Sequence, residues 1–595
     1  MQTVSAAIHD LKNQSICEGF PLTTVAFPAS STDSTNSVRI ARLSQMDWII
    51  ARFSKMDLIV AGVLAAATAL FLVGHLSLPL SPMEDASMLL RYSQNFARGH
   101  GIVWNVGERP VEGATDFLYM VLIGLISRLM HMDVKAAAVA LLFVSQVVSV
   151  VVMYAGLRRL YRAPILVAAG FAATLGLGLG YHYINSGFSA PFYGLFALLT
   201  WCVGTACVLE GVTRRRALWF ATFGFITGLI RPDGVILAGL MLCSTLYGVR
   251  ARRLLLVVSF GAIFAVCGGI YFAWRLHYFG FPFPVPFYAK HSGGIQWANL
   301  KLSSRTMAEM LLPFLPLVGL GFRSRSAMRQ LAVWLITVVP FTALWILILF
   351  ENNHFSRFQY VMVPLSMFFL GGLVTVWWRE LESTRPREAE TLKRPLAAMM
   401  ALMFVFAIIY NMHLYLKPFS NVGAQELGLR LQPYAAKNYS MVITEAGDLP
   451  FYSEWRAVDE GGLNDSFVAR NKGLLTEAYI DRYQPEILMY HVWAMHRTVA
   501  DLKAQTEGVV SPEVTGKLSL NDAMMHNYAV KHGYVLAAVW GGTYCDYHVY
   551  WVKRDFADSD AIVSAIRDHP YYMQETGQLA YDFRDAPAPS IPCLI

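Results

Sequence analysis

Charge is scarce in this sequence. Of 595 residues only 15% are Asp, Glu, Lys or Arg, against 55% apolar, and the mean hydropathy is +0.42. That balance excludes a soluble chain of this length and points to a polytopic membrane protein. Cysteine is scarce too: seven, with no CxxC pair and no Cys/His spacing that holds zinc, which excludes a metal finger. Cys202, Cys207, Cys243 and Cys267 fall in apolar runs and serve as small hydrophobes. Only Cys545 and Cys593 are placed to pair in an oxidising compartment. The formal net charge of +7 does not signal a nucleic-acid partner, because Lys and Arg gather in short loops between apolar runs, where they set topology.

Long apolar runs are what the chain has in abundance. Residues 1–45 are polar, lack the pattern of a cleaved signal peptide and read as a disordered cytoplasmic tail. The near repeat ARLSQMDWII, ARFSKMDLIV over 41–60 reads as a duplication or an interfacial lead-in, and leaves Met46 or Met56 as alternative starts. Apolar stretches near the length a hydrocarbon core demands follow at 57–79, 135–157, 164–182, 190–211, 217–230, 234–249, 254–274, 306–321, 330–350, 357–378 and 395–415. The expected fold is therefore a polytopic α-helical domain over 46–415 with about eleven spans. The basic clusters at 158–162, 214–216, 250–253, 323–329 and 379–394 then share one side, which makes the N-terminus cytoplasmic. Counting 115–133 as a span would reverse this, so it is read as a helix at the outer interface, within a first outer loop of 80–134. Residues 416–595 are less apolar and carry short alternating runs (SMVIT, RAVD, EILMYHV, YVLAAVW, YHVYWVKR), the signature of an extracytoplasmic α/β domain.

Several polar groups stand at the outer ends of these spans. Glu84 and Asp85 open an amphipathic stretch that offers Arg91, Tyr92, Asn95 and His100. A helix start with arginines beside lipid headgroups suits a phosphate; charged residues that merely end a helix are the bland reading. In GLIRPDG, Arg231 and Asp233 interrupt an apolar hairpin, and a charge at mid-bilayer costs about 2.5–3.5 kcal/mol. They must pair with each other or face a wet cavity. The aromatic, proline-rich loop 274–294 offers Tyr288 and Lys290, and the next turn offers His354 and Arg357. Glu112, in GERPVEG, belongs either to a salt-linked turn or to a donor contact. The phosphate-binding set is thus Arg91, Arg231, Lys290 and Arg357, and the substrate-binding set is Tyr92, Asn95, His100, Glu112, Asp233, Tyr288 and His354. Two adjacent carboxylates are also hard-oxygen ligands, so Glu84 and Asp85 are candidates for Mg2+ or Mn2+, although no cofactor is obligatory.

The run EDASMLLRYSQNFARGHGIVWNVGERPVEGATDFL (84–118) resembles the first outer loop of C-type glycosyltransferases, the GT-C fold, and especially the arabinofuranosyltransferase-like group of mycobacterial cell-wall assembly. The likeness continues in NSGFSAPFYGLFALL (185–199), GLIRPDG (228–234), RLHYFGFPFPVPFYAK (275–290), HFSRFQYVMVP (354–364) and ITEAGDLPFYSEWRAVDEGGLND (443–465). It implies an acidic residue of the first loop as catalytic base, Asp85 or Glu84 with Asp85 favoured. It further implies a polyprenyl-phosphate-linked sugar donor, with arabinofuranose as the sugar, and a glycan or protein acceptor. Where such relatives show a glutamate after S-G-x this chain has Ser189, and where they show Pro-Asn it has Pro284 and Val285. The resulting expectation is an inverting glycosyltransferase in the bacterial inner membrane, with membrane lipids as neighbours. A lipid or polysaccharide transporter and a non-catalytic envelope scaffold are its rivals.

Overall fold

The computed structural model describes residues 53–76, 82–178, 180–290, 294–347, 356–415, 422–493, 520–541, 546–569, 571–572 and 579–582. The tail, the lead-in repeat up to residue 52, His354 and the Cys545–Cys593 pair lie outside them. The described residues from Ser54 onward form one compact unit.

Among the described residues nine helices are long and apolar enough to cross a membrane: Lys55–His75, Val134–Tyr161, Ile165–Ser186, Ala190–Glu210, Arg253–Phe279, Trp297–Phe322, Arg325–Ile346, Met362–Thr384 and Pro386–His413. The other two expected spans are the Arg214–Ile230 and Asp233–Gly248 helices, of 17 and 16 residues, either side of Arg231-Pro232. This is a multi-pass membrane protein. One end of the bundle is basic and tied by those bases. There Asp57 accepts from Arg158 Nε at 2.6 Å and the Tyr154 hydroxyl at 2.9 Å, Arg329 donates to the Gly248 carbonyl at 2.7 Å, and Arg379 donates to that of Arg162 at 2.9 Å. The apolar Phe117–Met130 helix is only 14 residues long, too short to cross a hydrocarbon core of about 30 Å. It leads directly into the start of the Val134–Tyr161 span and packs beside the Glu84–Ala97 helix.

Five apolar runs of the C-terminal region become strands: β1 (Ser440–Ile443), β2 (Arg456–Asp459), β3 (Ile487–Trp493), β4 (Val535–Gly541) and β5 (Asp546–Val552). With β6 (Tyr571–Tyr572) and β7 (Leu579–Asp582) the described strands form one mixed sheet in the order β2-β1-β3-β5-β4-β7-β6, with β1 parallel to β2 and β3 and the remaining pairs antiparallel. Alternation along each strand divides the apolar side chains between two faces. Val442, Leu488, Tyr490, Val549 and Trp551 belong to a core closed by the Glu477–Tyr483 and Leu520–Lys531 helices. Met441, Ile443, Met489, Tyr550 and Val552 belong to the core that continues into the membrane bundle. The sheet is therefore packed as an extension of the membrane portion.

Candidate functional site

The Glu84–Ala97 helix has a polar stripe at 84, 87, 91, 94 and 98, the three-and-four spacing of one helix face. Every member grips the C-terminal domain. Both Glu84 oxygens accept backbone N–H groups, from Gly447 and from Asp448 (2.9 Å), and Ser87 donates to the Asp448 carboxylate. Arg91 donates to the carbonyls of Trp104 (2.9 Å), Trp455 (2.7 Å) and Pro450 and to Asn105 Oδ1 (3.0 Å), and lies 4.5 Å from the Trp104 ring centre. Gln94 and Arg98 both reach Glu454, the arginine through two bonds of 2.6 and 2.9 Å. Asn105 exchanges bonds with both the N–H and the carbonyl of Ala457 at 3.0 Å, which covers the open edge of β2. Burial, with Glu445 and Asp448 nearby, pushes the Glu84 pKa well above the usual carboxylate range, and burial pulls the Arg91 guanidinium down to about 10.

Asp85 stands one residue off this stripe, and a helical step of about 100° sends it elsewhere. It forms an ion pair with Arg357, both side chains at most 13% exposed. The Arg357 guanidinium lies 4.1 Å from the Phe188 ring centre and 5.1 Å from that of Phe358, while its buried Nε has no hydrogen-bond partner among the described residues. The guanidinium of Arg231 also lies near Phe358, 5.3 Å from its ring centre. Arg231 Nε donates to Asp233 at 3.0 Å, a second ion pair of 3.7 Å reaches Asp116, and the Tyr193 hydroxyl donates to Asp233 at 3.1 Å. Ser189 donates to Asp116. Two guanidiniums and three carboxylates thus meet around one aromatic ring, at helix ends opposite the basic end of the bundle.

Of the residues singled out from sequence, Asp85, Arg231, Asp233 and Arg357 come together here. Glu84 and Arg91 belong instead to the clamp on the C-terminal domain, and the sequence reading of both as site ligands gives way to that. Tyr92 is fully buried and accepts the Gly113 N–H at 3.1 Å; Asn95 donates to the Val103 and Trp104 carbonyls. Both are framework, and His100 is exposed. Glu112 is locked in a buried ion pair with Arg275, 2.6 Å apart, which also holds the Pro282 carbonyl at 2.6 Å and so pins the proline-rich loop. Tyr288 sits within 6.5 Å of the rings of Phe281, Phe283 and Phe287, and Lys290 is half-buried just after them. Glu84 and Asp85 diverge to separate partners, so the doublet does not present the shared oxygen face that Mg2+ or Mn2+ needs.

Asp116 was missed because it precedes an apolar helix and reads as an ordinary N-cap. It occupies that position yet makes no capping bond; its carboxylate is spent on Ser189 and Arg231. Ser189, likewise at a helix start, makes none. Arg275 and Phe358 carried no sequence signal beyond lying in the quoted motifs.

The solved structure of ArnT from Cupriavidus metallidurans in the apo state superimposes with a TM-score of 0.51 at 12% identity, over 85% of this chain and 98% of that one. The chain has the GT-C fold. The same ArnT bound to undecaprenyl phosphate matches at 0.50 with the same coverage. Over 230 residues the GT-C chain is 26% identical to terminal β-(1→2)-arabinofuranosyltransferase of Mycobacterium tuberculosis (strain ATCC 25618 / H37Rv). That match takes in 36% of this chain and 36% of the relative, so the chain spans about a third of that relative's length. A domain of unknown function, DUF8728, matches residues 414–555, which hold β1 to β5.

Proposed function

We propose that this GT-C chain is a glycosyltransferase that moves a sugar, a pentofuranose, from a polyprenyl-phosphate carrier to a hydroxyl of an extracytoplasmic glycan or protein. The observation that carries the reading is the Asp85–Arg357 pair beside Arg231, with the Arg357 Nε unpartnered among the described residues. The base held there is a carboxylate and the cations suit a phosphate. Likeness to an arabinofuranosyltransferase and to ArnT, which binds undecaprenyl phosphate, supports the substrate class. The basic end of the bundle faces the cytoplasm by the positive-inside rule, so the site and the C-terminal domain face outward from a bacterial inner membrane.

In the reaction Asp85 takes the proton of the acceptor hydroxyl as its oxygen bonds to the anomeric carbon. The bond from that carbon to the phosphate oxygen breaks, polyprenyl phosphate leaves on Arg357 and Arg231, and the anomeric centre is inverted. Asp116 and Asp233 hold Arg231 in place through that charge build-up. Glu84 takes no part, because both its oxygens are engaged by backbone amides. Purified full-length protein in nanodiscs, given a radiolabelled polyprenyl-phosphoryl arabinofuranose and cell-wall oligosaccharide, is expected to move label into the oligosaccharide. Flux of intact lipid across the bilayer without a new glycosidic bond would support a transporter instead.

A further inference from the structure

The face of the sheet turned toward the membrane bundle is built from rungs. Ile443, Met489 and Tyr550 pair side by side across β1, β3 and β5 and are buried. With a period of two, His491 and His548 form the next rung on that face, and Glu445, two residues beyond the end of β1, joins them. Together they break an otherwise apolar pattern with three metal-ligating side chains. The register places His491 directly opposite His548, with rings 4.5 Å apart and nearly perpendicular, and Glu445 Oε1 lies 3.2 Å from His491 Nδ1. One ligand atom from each of the three falls within 4.8 Å of the others. All three are half-buried, so the group is reachable from solvent yet framed by the sheet.

We propose that Glu445, His491 and His548 form a binding site for a divalent transition metal of the zinc class, with two imidazoles and one carboxylate as ligands and a further position open to water. Two imidazoles on adjacent strands and a carboxylate just past the end of a third, with their donor atoms converging, match the open three-ligand zinc arrangement. The softness of imidazole favours zinc, cobalt or iron over magnesium and calcium. Glu445 lies two residues before Gly447, whose N–H, with that of Asp448, holds Glu84. A bound ion would therefore tether the turn on which the clamp closes. It would act in positioning, away from the transfer chemistry.

The test uses full-length protein purified without a polyhistidine tag, stripped with chelator and titrated with Co2+ and with Zn2+. The expected result is one equivalent bound, visible Co2+ d–d bands of low-symmetry nitrogen and oxygen ligation, and slower hydrogen exchange over 443–449 on Zn2+ addition. H491Q, H548Q and E445Q should each weaken binding about 10- to 100-fold while their metal-free melting temperatures stay near that of the stripped wild type. Failure of wild-type protein to take up either ion, or affinity unchanged in all three variants, overturns the site. A variant that does not fold leaves the wild-type titration and exchange result to decide.

Discussion

Replacing Arg91 by methionine separates two roles that the sequence left open. If Arg91 is a bolt between the first loop and the C-terminal domain, the change removes four charge-assisted hydrogen bonds and a ring contact. At the low end of such bonds, about 1.5 kcal/mol each, together with about 1 kcal/mol for the cation over Trp104, the gross loss is about 7 kcal/mol. Against this stands the desolvation that pulls the guanidinium down to about 10, which returns about 3 kcal/mol once the charge is gone. The net loss of docking is about 3–4 kcal/mol, equivalent to a rise of about two to three orders of magnitude in local opening. Hydrogen exchange of peptides over 447–457 in detergent-solubilised protein should show that rise. Arg91→Lys should restore only part of it, because an ammonium cannot span four acceptors with a planar fork. Exchange raised less than about threefold, together with a raised KM for the lipid donor, would return Arg91 to the phosphate site and refute the bolt.

Other consequences follow from the same structure. Glu112→Gln strands Arg275 as a buried charge without its partner and should cost about 3–5 kcal/mol, while the paired change Glu112→Met with Arg275→Met should recover most of it; thermal unfolding in detergent reads both, and equal loss in single and double variants would contradict the buried pair. If Arg231 holds the departing phosphate as proposed, Arg231→Met should raise the donor KM about 30-fold, at about 2 kcal/mol, with the acceptor KM unchanged; equal effects on both would place Arg231 elsewhere. Burial raises the Asp459 pKa to about 6 despite hydrogen bonds from Asn464 and Gly461. A raised acid contributes stability that is fully present below its unfolded value of 3.8 and is lost as pH rises through about 6, a change of about 3 kcal/mol. The melting curve of the C-terminal domain should show that loss between those pH values, and Asp459→Asn should flatten it; an unchanged pH profile in the variant would sink the assignment.

Much of the fold was legible because hydrophobic period is a local signal. Each of the eleven expected spans contains a helix among the described residues, and the five alternating runs after residue 416 become β1 to β5. The two helices that fall short of a full span flank Arg231-Pro232, where the sequence already showed charge and proline breaking an apolar stretch. What pattern alone could not supply is the partner of a polar face. The stripe at 84, 87, 91, 94 and 98 announces that one helix side is polar, and a lipid phosphate and a protein surface look alike from that side. Its partners lie about 360 residues downstream, on Gly447, Asp448, Pro450, Glu454 and Trp455. Asp85 differed from Glu84 by a single helical step, and only the tertiary fold shows which of them meets Arg357. Asp116 was hidden for a related reason: at a helix start it reads as a cap, and only its partners, Ser189 among them, reveal otherwise.

The central claim is that Asp85, and not Glu84, removes the acceptor proton. Steady-state transfer by folded, membrane-inserted Asp85→Asn and Glu84→Gln, with donor binding measured separately by retention of undecaprenyl phosphate, tests it most directly. The expected result is a kcat lowered about 10²- to 10⁴-fold in Asp85→Asn with undecaprenyl phosphate still bound, and a kcat within about threefold of wild type in Glu84→Gln. Full turnover by Asp85→Asn, or loss of turnover confined to Glu84→Gln, would contradict it.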